Sequence, residues 1–353
     1  MANATATLRA PVPPALPRVA VPLTHGSLPS RLAIATVLIT TFCLTFISTA
    51  AAQTVPPVPL ATITNTPYHG WTNSIILANP LVEAVIVPGI GRVMQFQFKT
   101  NAGPFWENPK LSGRGRLADP SKWSNFGGDK SWPAPQDEWP RMTGIGWPPP
   151  TAFDATTYTA TISPAGVTIV SPVDSHYGIR VSRQIALDPQ LPRLTIDTTF
   201  EKVSGTNVNV AVWTITQLQD PVGVYLPAPT NGVAGISGNR PPNLWLDEDR
   251  IFLQRDQEKS YKIGVAGEKL LWVGKTNSLL IEIQRVAGAV YPDQNTSSQV
   301  YTNPDEAPYV ELELLGPLSK MAIGDKKSLR TTFTLYPRTE FDPSADARAI
   351  FKK

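Results

Sequence analysis

The chain has 353 residues, 42% of them hydrophobic, with 36 prolines, one cysteine and a formal charge of +3. Arg9, Arg18 and Arg31 stand in a leading stretch without acidic residues and account for that charge, so the rest of the chain is formally neutral and offers no bulk attraction to nucleic acid or an anionic membrane. The single cysteine, Cys43, excludes a disulfide framework, and the chain beyond it can hold neither a thiolate metal site nor a cysteine nucleophile.

The first predicted element is a leader. Arg31 opens an apolar run, Leu32–Ile47, followed by Ser48-Thr49-Ala50-Ala51-Ala52. A positive flank, a short apolar run and a small-residue cleavage site are the parts of a secretory signal. The run is also shorter than the ~20 residues that span a bilayer. Residues 1–52 are therefore expected to be a signal peptide and the protein to be periplasmic or extracellular; the alternative is an uncleaved anchor. Residues 53–66 read as an N-terminal tail, and 67–353 as a single monomeric domain with no membrane or nucleic-acid partner.

Beyond the tail the hydrophobic period is two, the signature of strands. Strand-like runs are Val82–Val87, Val93–Phe98, Ile179–Leu187, Leu270–Val273, Leu279–Ile283, Tyr309–Leu314 and Leu329–Leu335. Leu194, Ile196, Thr198 and Phe200 alternate with polar neighbours, as do Val208, Val210 and Val212. Pro88-Gly89, Ser204-Gly205 and the glycines from Gly264 to Gly267 supply turns. The one clear helical pattern is Ser344–Phe351. Many strands at short spacing predict an all-β antiparallel sandwich or barrel with a short C-terminal helix.

One stretch departs from this pattern. Phe105–Pro150 is rich in Trp, Pro and Gly without sustained alternation, and holds Trp106, Trp123, Trp132, Trp139 and Trp147, five of the nine tryptophans. A long irregular segment inside a domain is usually functional or disordered, and this much tryptophan argues against disorder. It is expected to be ordered and to pack over one end of the sheets.

Two segments carry a family resemblance: Tyr68-His69-Gly70-Trp71 continuing through Val82–Val93, and Asn125-Phe126-Gly127-Gly128-Asp129-Lys130-Ser131-Trp132-Pro133-Ala134-Pro135-Gln136. Together they resemble an uncharacterised family of bacterial exported domains allied to galactose mutarotase and other aldose 1-epimerases. Tyr309–Glu313 with Gly324-Asp325 resembles that group's closing strands. The resemblance implies a large antiparallel two-sheet β-supersandwich with a sugar site on a concave face.

Mutarotation needs a base for the anomeric hydroxyl proton and an acid for the ring oxygen, and a carboxylate with an imidazole suits those tasks. Glu311 matches the epimerases' catalytic glutamate, and Glu313 points to the same face two residues on; the alternative is that both line a solvated sheet face. Where the epimerases carry a strand histidine this chain reads Val212-Trp213-Thr214-Ile215-Thr216-Gln217. The acid role would fall to His176, whose other reading is a surface turn residue. For sugar binding the candidates are Arg92, Asn125, Asp129, Lys130, Trp132 and Gln136, since indole faces stack on sugar C–H surfaces and polar groups fix hydroxyls. Asp129 and Lys130 can also be a surface pair, Trp132 a core plug, and Trp213 reads as core.

Gly113–Ala118 fits a dinucleotide fingerprint but lacks a strand–helix context, and Asp247-Glu248-Asp249 reads as a solvated acidic turn. No cofactor and no metal are expected. The reading is an exported carbohydrate-binding domain. Its rivals are an active aldose 1-epimerase, a non-catalytic module keeping the fold alone, and a polysaccharide lyase or hydrolase.

Overall fold

A computed structural model describes residues 61–228, 233–237 and 241–352. The expected signal peptide lies outside the described residues, as does most of the expected tail. The tail's end does not: Thr62–Tyr68 is a strand, pairing with Trp71–Ala78 through a tight turn at His69-Gly70. Both turn residues have positive φ, a conformation open to Gly70 and costly for His69.

Two antiparallel sheets make up the domain. The first runs Thr62–Tyr68, Trp71–Ala78, Val82–Val87, Arg92–Phe98, Asp129–Ala134, Val208–Gln219, Tyr309–Leu315, Ser298–Thr302, Tyr261–Val265 and Ala234–Ser237, with Ser319–Met321 added alongside Val208–Gln219. The second runs Leu244–Asp247, Arg250–Leu253, Gly223–Pro227, Lys269–Val273, Asn277–Glu282, Lys326–Pro337, Arg193–Lys202, Ile179–Leu187, Gly166–Val170 and Thr159–Ser163. The expected two-sheet β-sandwich is what forms.

Alternation places the core. In Arg193–Lys202 the residues Leu194, Ile196, Thr198 and Phe200 are buried while their neighbours are only partly so. Phe200 and Phe333, both fully buried, each contribute on the order of 1.5–3 kcal/mol by burial. Val208–Gln219 and Tyr309–Leu315 differ, because nearly every residue on both faces is buried. The second sheet covers one face of these central strands and the Trp-rich segment covers the other, as in any strand packed on both sides.

That segment packs onto the first sheet through Trp132 and Trp139, and it is not wholly irregular. Its residues Asp129–Ala134 form a central strand of the first sheet, between Arg92–Phe98 and Val208–Gln219. A tryptophan followed by a proline, Trp132-Pro133, disguises the strand in sequence. Gly127 and Gly128, both at positive φ, lead the chain into it; a Cβ on Gly127 would stand 2.1 Å from the Trp106 carbonyl oxygen.

The C-terminal helix, Pro343–Phe351, is capped by Asp342, whose carboxylate accepts from Ser344 N at 3.0 Å. It lays Ala347 and Ile350 against Tyr225, Leu271 and Leu280 on the outer face of the second sheet. No helix among the described residues is long and apolar enough to cross a membrane.

Candidate functional site

The site is built on the strand triplet Asp129–Ala134, Val208–Gln219 and Tyr309–Leu315. Asp129 and Thr216 are cross-strand partners and point towards the second sheet, where Thr216 Oγ1 donates to the Asp129 carboxylate at 2.7 Å and Arg183 donates to it as well. Alternation turns Lys130, Trp132, Trp213, Glu311 and Glu313 the opposite way, away from the second sheet. There they line or underlie a cleft of about 1130 Å³, walled by Trp123, Trp132, Trp147, Trp213, Tyr301 and Tyr309.

Two ion pairs form its floor. Lys130 Nζ donates to Glu311 Oε1 at 3.2 Å and lies 4.9 Å from the centre of the Trp132 ring. Lys262 Nζ lies 2.7 Å from Glu313 Oε2 and 4.2 Å over the Trp213 ring, while Trp213 Nε1 donates to the same carboxylate at 2.7 Å. Glu311 is 7% exposed and Glu313 1% exposed, so neither lies on a solvated sheet face. Burial pushes the Glu313 carboxyl up to about 7, with the charge of Lys262 working against it and that of Glu311 adding to it. Burial likewise pushes the Lys130 ammonium down, opposed by Glu311.

Beneath the cleft lies a second polar layer. Arg92, 1% exposed, donates to the Gly127 carbonyl at 2.7 Å and to Asp154. Asp154 also accepts from Trp123 Nε1 at 3.0 Å and from Trp132 Nε1 at 3.1 Å. One buried carboxylate therefore fixes the planes of two cleft tryptophans, and Arg92 holds that carboxylate in place. Trp132 sits at the centre of an edge-to-face cluster, with ring centroids 5.5 Å from Trp213, 5.6 Å from Trp139, 5.7 Å from Trp123 and 5.9 Å from Trp147. Such geometry suits the ring quadrupole. These tryptophans cover the outer face of the first sheet rather than one end of the sandwich.

The residues expected at the site therefore separate. Glu311, Trp132 and Gln136 line the cleft, and Lys130 reaches it through Glu311. Arg92 supports the cleft from below. Asp129 is neither a cleft nor a surface residue; it ties the two sheets together through Arg183. Asn125 stays within the irregular segment, its carbonyl accepting from Asn108 Nδ2 at 3.0 Å. His176 is exposed at the turn before Ile179–Leu187 in the second sheet, its backbone N–H donating to Asp174 Oδ1 at 3.0 Å, and it does not line the cleft.

His69 lies elsewhere too, beside a separate cleft of about 880 Å³, with Nδ1 2.9 Å from Glu107 Oε2. Trp213, read as core, is 3% exposed within the main core cluster and also borders the cleft. Lys262 was missed, although a lone lysine in the apolar strand Tyr261–Val265 is a visible signal. Asp154 carries no such signal, because it lies in a loop 62 residues from its arginine partner. In the acidic turn Glu248 and Asp249 both pair with Arg250. Among the described residues no group of three or more His, Cys, Asp or Glu side chains is placed to hold a metal.

No protein-family model and no curated protein matches the chain. Solved structures do. A galactose mutarotase-like protein from Lactobacillus casei superposes with a TM-score of 0.52 at 11% identity, over 75% of this chain and 100% of that one. A galactose mutarotase-like protein from Clostridium acetobutylicum gives 0.51 at 10% identity, over 79% and 99%. A TPR-domain containing protein from Parabacteroides distasonis gives 0.52 at 16% identity, over 81% of this chain and 53% of that one. At these identities the likeness is one of architecture: the chain shares the fold of the galactose mutarotase-like structures.

Proposed function

We propose that the protein is an exported carbohydrate-binding protein whose ligand occupies the tryptophan-walled cleft. The observation that carries this reading is the pairing, on one sheet face, of indole walls with a floor of carboxylate and ammonium groups. Indole faces suit the C–H face of a sugar ring, and the polar floor suits its hydroxyls. At about 1130 Å³ the cleft exceeds the ~300–1,000 Å³ of ordinary small-molecule sites, which favours more than one sugar ring. The likeness to galactose mutarotase-like structures supports a sugar ligand only by analogy of fold. Export rests on the leader sequence.

A second reading, an aldose 1-epimerase, is favoured by the position of Glu313. With both His69 and His176 away from the cleft, the acid would be Glu313, part-protonated near neutrality beside the base Glu311. Glu311 would take the anomeric hydroxyl proton while Glu313 protonates the ring oxygen. The ring C–O bond then breaks to an open-chain aldehyde, and reversal after rotation returns both protons and gives the other anomer. Calorimetry with neutral mono- and oligosaccharides tests the binding reading; polarimetry on the same aldoses tests the second. Binding with every sugar at its buffer rate leaves the binding protein. Neither binding nor catalysis would sink both and leave the likeness as one of fold alone.

A further inference from the structure

We infer that this cleft selects a sugar bearing a protonated amine over a uronate, and that Asp293 sets the preference; the inference rests on the carbohydrate reading above. Four carboxylates line the cleft: Asp137, Asp293, Glu311 and Glu313. Glu313 is matched by Lys262 and Glu311 by Lys130 from beneath. Among the described residues no ion pair reaches Asp137 or Asp293, so each presents its carboxylate to the cleft without a lysine or arginine bonded to it. An acidic sugar would meet like charge there, and a cationic one opposite charge. The aromatic walls favour the same sign, since π faces attract cations. They already do so within the protein, where Lys262 lies over Trp213 and Lys130 over Trp132.

The backbone beneath Asp293 points to a role beyond connection. Asp293, Gln294 and Asn295 stand in succession at φ 50°, 63° and 65°. Residues with a Cβ visit this left-handed region singly and at a cost, and a run of three is outside that habit. A turn kept only to join two elements would be relieved by glycine. Here it is pinned instead: Thr296 N donates to the Pro292 carbonyl at 3.1 Å and Thr296 Oγ1 to the Asp293 carbonyl at 2.9 Å. Tyr291 N donates to Asn295 Oδ1 at 3.0 Å, and Gln299 Nε2 to Asp293 Oδ2 at 2.9 Å. The turn so held sets Asp293 and Gln294 on the cleft wall.

The test is calorimetry at about pH 6.5, where an amine stays protonated, with a matched hexose, hexosamine, N-acetylhexosamine and uronate. The hexosamine should bind about three- to tenfold more tightly than the hexose, the gain of one or two partly exposed ion pairs. The uronate should bind most weakly. Asp293→Asn keeps an oxygen for Gln299 and should take away most of the amine preference, read as the ratio of hexosamine to hexose affinity. Asp137→Asn, which leaves the turn untouched, should reduce the preference in part, and thermal unfolding of both variants checks that they fold. Binding of the hexose without preference for the amine, or a preference that survives both substitutions, overturns this inference alone. Silence of the wild type towards all four sugars overturns the carbohydrate reading and this inference with it.

Discussion

Asp154→Ala is the most searching test of how the cleft is built. The substitution strands the Arg92 guanidinium, 1% exposed, without its carboxylate, and removes the acceptor from the indole N–H groups of Trp123 and Trp132. Breaking a buried pair by deleting one partner costs about 3–5 kcal/mol, because the remaining charge is left in a poorly solvating interior. An indole N–H without an acceptor adds up to ~1–3 kcal/mol where water cannot reach it. With ~2–4 °C per kcal/mol for a domain approaching this size, the unfolding midpoint should fall by at least about 6 °C. Near-UV circular dichroism should change as two indoles lose their fixed planes, and sugar affinity should fall with them. Asp154→Asn, which keeps an acceptor oxygen, should lose less. Replacing the pair together, Arg92→Met with Asp154→Leu, should recover much of the loss, since an apolar pair of similar volume removes the unpaired charge. An Asp154→Ala protein within 1 kcal/mol of wild type, with unchanged near-UV signal, would refute the idea that this carboxylate organises the cleft.

Other outcomes follow from the same geometry. Glu313 has its folded pKa raised to about 7, so the folded state holds a proton that the unfolded chain releases near 4.5; its contribution to stability should decline as pH rises from about 4.5 to 7, and Glu313→Gln should remove that decline in a plot of unfolding free energy against pH. Trp139, fully buried under the cluster, should cost about 3–5 kcal/mol when changed to Ala. Trp147, 45% exposed at the cleft wall, should cost little stability but more than ~1 kcal/mol of sugar affinity, as wall aromatics do; equal effects on both measurements would contradict the separation. His176→Ala should leave unfolding within about 0.5 kcal/mol of wild type and leave any anomer interconversion rate unchanged, because the residue is an exposed turn position away from the cleft.

Local pattern determined the class of structure. Strict alternation in Ile179–Leu187 and Arg193–Lys202 reports a face that packs and a face that does not, and the apolar run Val82–Val87 reports a strand buried on both faces, so these strands were legible with nearly their true bounds. The placing of Glu311 and Glu313 on one face followed from the same period. Tertiary structure decided which face each residue served. Asp129 and Lys130 are adjacent in sequence and look like one polar pair, yet a strand turns them to opposite sides, one into the sheet-to-sheet core and one under the cleft. Asp129–Ala134 itself could not be recognised, because its tryptophan and proline follow from coverage on both faces, a property of neighbours remote in sequence. The partners of the cleft show the same limit. Lys130 meets Glu311 across 181 residues and Trp213 meets Glu313 across 100, and only the pairing order of the strands brings them together. Sequence period specifies the direction of a side chain relative to its own strand; the charge it faces belongs to whichever strand the fold sets beside it.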